Sequence, residues 1–283
     1  MRGDQPHESP AQLEELARLA LEGNRAALEQ LVAAIQVDIY SVALRMLGNR
    51  QDAEDATQEI LIRIVTRLSQ FDFRSRLKTW AYRIAVNYVL DFKKSPPERL
   101  KSSFQQFADD LVAGISQNSP SETERSLFIE EVKIACTLGM LQCLGRPLRM
   151  AYILGEIMEL SGPEAAEVLG ISAALFRKRL QSARSSMVRF MRSYCGLVSD
   201  AAPCTCNRQI PAALRAGRIH AGGGPSPAAE SSFEEVRAKV RQVEKARWAL
   251  EVHRAGQPLA SPVDFARRLI AALDLQLERP STP

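Results

Sequence analysis

Between Arg25 and Leu47 the apolar residues Leu28, Leu31, Val32, Ile35, Ile39, Val42, Ala43 and Met46 recur every three or four positions. That spacing draws one stripe along a helix. Gly48-Asn49 follows, a pair suited to stopping it. The same period predicts a second helix from about Asp52 to Leu68, with Ala53, Ala56, Ile60, Ile64 and Leu68 inward. A third is predicted from about Leu77 to Lys93, with Trp80, Ile84, Tyr88 and Phe92 on its apolar side. A polar and aromatic loop, Gln70 to Arg76, separates these two. No run of alternating β-branched residues bounded by turns interrupts the pattern. The expected fold class is all-α.

Breaks in the pattern divide the chain. Ser95-Pro96-Pro97 ends the first module, which spans 11–94. The polar stretch 95–126 reads as a linker with at most one short helix. Helical character resumes over 127–194, interrupted at Gly145-Arg146-Pro147. An extension, 195–283, carries cysteines, then a glycine and proline joint after His220, then two helices beginning at Ser232 and Ser261. Both starts fit N-cap chemistry, in which a side-chain oxygen accepts from an orphan backbone N–H. The expected architecture is therefore two helical modules, a flexible linker and a helical C-terminal extension.

Composition adds limits. The 283 residues are 46% hydrophobic and 25% charged, ordinary for a globular protein, with a net charge of +4. That sum only weakly favours an anionic partner, so the distribution of charge matters more. No stretch approaches about 18 consecutive apolar residues, and the N-terminus lacks a secretory layout. A cytoplasmic protein without a membrane partner is expected. Five cysteines are too few for a disulfide scaffold in a chain this long.

The sharpest local pattern runs from Ser161 to Leu180. Ser161 and Glu164 make a capping box for a short helix. Ala166 is small where a second helix must approach. Gly170 stands where a tight turn demands positive φ. Ser172 can cap the next helix, in which Phe176, Leu180 and Ala183 share one face. Arg177, Gln181 and Arg184 share the opposite face, with Lys178 alongside. This is helix-turn-helix logic: an apolar back, and donors in front for base edges and phosphates. Between Gly170 and Tyr194 there is no acidic residue. The plainer alternative is a helical hairpin with a solvated basic face.

In the first module, Asp55, Gln58 and Glu59 fall on one helix face, a patch suited to a basic partner or simply to water. Phe71, Phe73, Arg74, Arg76, Lys78, Trp80, Tyr82 and Arg83 interleave aromatic and basic chemistry. Aromatics stack on unpaired bases while guanidiniums hold the backbone, although aromatics in a helix also build cores.

Taken together, Asp52-Ala-Glu-Asp-Ala-Thr-Gln-Glu59, Phe71-Asp-Phe-Arg74 and Thr79-Trp-Ala-Tyr-Arg-Ile-Ala-Val-Asn87 resemble region 2 of an extracytoplasmic-function (ECF) RNA polymerase sigma factor. The helix-turn-helix resembles region 4 of the same family. The likeness covers about 11–94 and 129–192. It implies a factor that binds the RNA polymerase core through the beta-prime and beta subunits, recognises −10 and −35 promoter elements and promotes DNA melting. By position it implies core docking by Asp55, Gln58 and Glu59. It implies −10 recognition and melting by Phe71, Phe73, Arg74, Trp80, Tyr82, Arg83 and Asn87, with the Phe71–Thr79 loop holding a flipped base. It implies −35 reading by Arg177, Lys178, Gln181 and Ser182, with Arg179 and Arg184 on phosphate. An anti-sigma factor is a further implied partner. The chain departs from the family in Leu175-Phe176, where Thr-Val is commoner, and in Leu144-Gly-Arg-Pro-Leu148 at the start of region 4. A conventional helix-turn-helix regulator is disfavoured by the Asp55–Glu59 face and the aromatic loop. An enzyme is disfavoured by three histidines and no nucleophile or phosphate-loop motif.

The extension resembles a subset of these factors with a Cys-containing tail. Cys195, Cys204 and Cys206 could ligate zinc or copper, with His220 as a fourth donor. Alternatively the thiols could be redox-active, their pKa lowered by the basic helix before them, or simply reduced and unligated. No cofactor is otherwise required. Cys136 and Cys143 lie on an apolar helix and are expected in the core.

Overall fold

The computed structural model describes residues 9–92, 103–117, 122–219 and 263–277. They fall into two compact units, one holding 9–92, 163–172 and 263–277, the other 103–117, 122–162 and 173–219. All regular elements among the described residues are helical, and the one β-type contact is an isolated bridge between Cys195 and Cys204. The architecture is all-α.

The first unit is built on α2 (Arg25–Leu47), which packs against α1 (Pro10–Leu21), α3 (Arg50–Thr66) and α4 (Leu77–Asp91). Leu31, Val32, Ile35, Ile39, Val42, Ala43 and Met46 of α2 are buried, as the stripe predicts. This helix is long and apolar enough to cross a membrane by length and composition, but its apolar face is the core of the bundle. Asn24 caps its start by accepting from the Ala27 N–H at 3.1 Å, and Gly48 ends it at φ +72°. Asn49 then caps α3 through the Asp52 N–H at 2.9 Å.

Helix α4 departs from the sequence expectation. Its buried face is Leu77, Ala81, Tyr82, Ala85, Val86 and Val89, whereas Trp80, Ile84 and Tyr88 are only half-buried. Ala81 and Ala85 allow close approach of a neighbouring backbone, so the small face turns inward and the bulkier one outward. Asp38 fixes this rotation, receiving Lys78 Nζ at 2.8 Å and the Tyr82 hydroxyl at 2.9 Å.

The second unit holds α5 (Phe104–Ala113), α6 (Glu122–Gln142), α7 (Arg146–Tyr152), a π turn (Ile153–Ile157), α9 (Ala173–Tyr194) and α10 (Cys206–Arg215). Helix α8 (Gly162–Leu169) belongs to the first unit. Helix α9 packs on α7 and the π turn, and α10 on α6. A Cβ at Gly155 would stand 2.8 Å from Leu180, so the π turn presses directly on α9. Helix α5 lies inside the stretch read as a linker. Its Phe107 ring would meet a Cβ on Gly139 at 2.8 Å, and Phe104 and Phe107 stack near Phe190 at 5.3 and 5.6 Å. Gln209 of α10 donates to the Leu111 carbonyl at 2.6 Å, which ties the extension to the same unit.

In the last described segment, Asp264 accepts from the Arg267 N–H at 3.1 Å and starts α11 (Phe265–Leu277). The expected helix from Ser232, and Ser261 itself, lie outside the described residues.

Candidate polymerase and nucleic-acid interfaces

Helix α3 turns Ala53, Ala56, Thr57, Ile60 and Ile64 into the core, which leaves Asp55 and Gln58 exposed. Glu59 is different. Its carboxylate accepts from Arg63 Nε at 2.8 Å, and the Arg63 guanidinium lies 4.7 Å from the Tyr88 ring centroid. Asp55 and Gln58 are thus open on the surface, while Glu59 sits in a half-buried chain of contacts linking α3 to α4.

The loop before α4 is built around an aromatic cluster. Phe71 is 3% exposed, packed with Leu13, Ala17, Leu31, Leu68 and Leu77. Its ring lies 4.6 Å from that of Phe73 and 5.5 Å from that of Trp80. Phe73 holds φ +59°, a conformation bulky residues rarely adopt, and Arg18 caps its ring at 4.7 Å. Tyr82 is buried, and burial, with Asp38 beside it, holds its phenol well above the usual 10. Phe71 and Tyr82 are therefore core residues with no open face for a base. Arg74 is exposed and pairs with Asp72 at 2.5 Å.

What α4 presents outward is a single stripe. Arg76, Trp80, Arg83 and Asn87 recur at i, i+4, i+7 and i+11. Arg76, Arg83 and Asn87 are exposed and Trp80 is half-buried. Two guanidiniums, an indole and an amide in line suit a single nucleic-acid strand: charge for phosphate, a ring for stacking, an amide for a base edge. Within the same unit, α8 supplies carboxylates to this stripe. Glu164 pairs with Arg76 at 3.1 Å, and Arg83 donates to the Glu167 carbonyl at 3.1 Å. Arg76 was visible in the loop sequence, but its place on the stripe shows only once the rotation of α4 is known.

After α8, Gly170 takes φ +62°, the turn glycine the sequence demands, and α9 begins at Ala173. Phe176, Leu180 and Ala183 are buried at 1%, 8% and 0%, which fixes the outward face. Arg177, Lys178, Gln181 and Ser182 are exposed, and Arg179 is half-buried. Arg184 is exposed at its edge, but its guanidinium closes on the buried carboxylate of Glu156.

The cysteines sit where α9 meets the extension. The Gly196 N–H donates to the Cys204 carbonyl at 2.8 Å, and the Cys204 N–H to the Tyr194 carbonyl at 3.2 Å. Gly196 is required there, because a Cβ would lie 2.6 Å from the Cys204 oxygen. Cys206 packs on the cluster of Phe128, Val132, Ile210 and Ala213. The expectation of a lowered pKa is corrected: burial pushes Cys195 up, Cys204 to about 11 and Cys206 to about 12. Desolvation is the largest cause for each of the three thiols. Cys136 is also pushed well above its usual value, by burial and then by Cys195, Cys206 and Cys204, so four thiols share this neighbourhood. Among the described residues no group of His, Cys, Asp or Glu is arranged to hold a metal ion, and His220 lies outside them.

Residues 31–95 match the family model for sigma-70 region 2. The chain is 28% identical over 181 residues to the ECF RNA polymerase sigma factor SigW of Bacillus subtilis, an alignment covering 60% of this chain and 91% of SigW. It is 28% identical over 175 residues to the RNA polymerase sigma factor CnrH of Cupriavidus metallidurans, covering 61% of this chain and 90% of CnrH. The chain is an RNA polymerase sigma factor. The relatives it matches include ECF factors, and sigma factors are regulators of transcription rather than enzymes. A solved structure of CnrH in complex with the cytosolic domain of CnrY is also similar, at 25% identity and a TM-score of 0.46, over 62% of this chain and 94% of that one. Nearly the whole length of SigW and CnrH is matched while much of this sigma factor is not.

Proposed function

We propose that this sigma factor docks on the polymerase core, through beta-prime and beta, with the exposed Asp55 and Gln58 of α3, Glu59 contributing through Arg63. The α4 stripe of Arg76, Trp80, Arg83 and Asn87 then holds the unpaired −10 strand, with Phe73 and Arg74 at its edge. Phe71 and Tyr82 support this surface from beneath. Arg177, Lys178, Gln181 and Ser182 read the −35 element from α9, and Arg179 lies beside them for phosphate. The observation that carries this reading is the one-sidedness of α9. Phe176, Leu180, Ala183 and Met187 are buried while Arg177, Lys178, Gln181 and Ser182 stand open in a segment free of acidic residues. Its place of action is the cytoplasm, where polymerase and promoter DNA meet, and an anti-sigma partner would act by covering these faces. The thiols serve packing in this reading, and neither zinc nor copper enters it.

The test is selection on a library of randomised promoters with purified core polymerase. Arg177→Ala should relax one position in the upstream element, and Asn87→Ala should alter the downstream element. Unchanged motifs for both variants contradict the assignment.

A further inference from the structure

Helix α11 ends far along the chain from region 2 and yet packs on it. Its buried residues, Phe265, Ala266, Leu269 and Ile270, form one face, while Arg267, Arg268 and Ala271 are exposed. That face lies on α2 and on α3. The Ala266 N–H donates to Gln36 Oε1 at 3.2 Å, and the Phe265 ring lies 6.2 Å from that of Tyr40. Arg50 and Glu54 of α3 stand close enough for their charges to act on the same Tyr40. Gln58 is one helical turn beyond Glu54, and Asp55 is its neighbour. The helix is thus seated at the flank of α3 that carries Arg50 and Glu54, one turn from Gln58 of the face assigned to polymerase docking.

The energetics favour a helix that comes and goes. Among the described residues the seat consists of four apolar side chains, a small contact to set against the ordering of a short segment. The segment before it includes Gly222-Gly223-Gly224-Pro225, and it starts from α10, which is anchored in the other unit. Covalent connection alone keeps the local concentration of α11 high whether or not it is docked. We infer that the α2–α3 face around Gln36 and Tyr40 is a docking surface for the chain's own C-terminal helix, and that α11 competes there with the polymerase core.

This inference rests on the assignment of α3 to polymerase docking, and one variant separates the two. Labelled protein is titrated with purified core, comparing the full chain, a form ending at Pro258, Leu269→Asp and Asp55→Lys. Removing or weakening α11 should tighten core binding, about tenfold for a helix docked roughly nine-tenths of the time. A synthetic peptide of residues 259–283, added in trans to the shortened form, should restore the weaker binding. Core binding by both tail variants equal to or weaker than that of the full chain overturns the inference. If Asp55→Lys still weakens binding, the role of α3 survives; if it does not, that role has failed instead. A readout independent of any variant is amide exchange in the full chain. Saturating core should strip protection from residues 265–271, and unchanged protection overturns the competition.

Discussion

The guanidinium of Arg184 closes on Glu156, a carboxylate with no exposed surface (0%), while Arg184 itself stays about half exposed (48%). A side chain expected from the sequence to hold phosphate is therefore committed to a buried carboxylate in the π turn beneath α9. Arg184→Ala should cost stability before it costs DNA affinity, about 1–3 kcal/mol, because a buried carboxylate loses its arginine. Urea melts of the full chain check this. A variant as stable as wild type, with DNA binding weakened evenly across sequences, would return Arg184 to a purely phosphate role.

Arg177 offers the opposite combination. It is exposed on the same helix, above Phe176 and Leu180 in the core. Arg177→Ala should leave the melt unchanged, cost about 1–3 kcal/mol in upstream-element binding and relax one base position. Competition binding with singly substituted duplexes measures both.

Within the α4 region, substitutions should sort by burial rather than by residue type. Phe71→Ala removes a side chain that is 3% exposed and should destabilise the first unit by about 3–5 kcal/mol. Asn87→Ala, at an exposed position, should leave stability intact and reduce the permanganate-reactive bubble at the promoter. A prematurely melted template should rescue Asn87→Ala and not Phe71→Ala.

The thiols give a pH dependence. Folded pKa values raised above the unfolded one favour the neutral thiol in the native state. Their stabilisation is complete below the unfolded value near 9 and is lost as pH climbs toward about 11 for Cys204 and about 12 for Cys206. Alkylation by iodoacetamide at pH 8 should be slow in the native protein and fast in denaturant. Rapid native labelling of Cys204 or Cys206 would restore the redox alternative.

Much of this was legible in the sequence, for reasons that can be named. The α2 stripe, the Gly48 stop and the turn at Gly170 rest on periodicity and on backbone conformations few residues tolerate. The α9 face was legible because Phe176, Leu180 and Ala183 are apolar at helical spacing and everything between them is not. The rotation of α4 was not legible, because Trp80, Ile84 and Tyr88 form as regular an apolar line as Ala81, Ala85 and Val89. Only the Asp38 contacts from α2 decide between them. The Arg184–Glu156 pair joins residues 28 positions apart in sequence, across a π turn that no composition rule announces. The docking of α11 on α2 depends on contacts as distant as Gln36 with Ala266.

The most direct test of the central claim is run-off transcription by purified core polymerase on promoters selected with this protein, with and without it. The account predicts one discrete transcript that requires the protein, fails with Asp55→Lys through loss of core binding, and fails with Asn87→Ala at the melting step unless the template is premelted. Equal transcription with and without the protein, or a transcript indifferent to both substitutions, would contradict it.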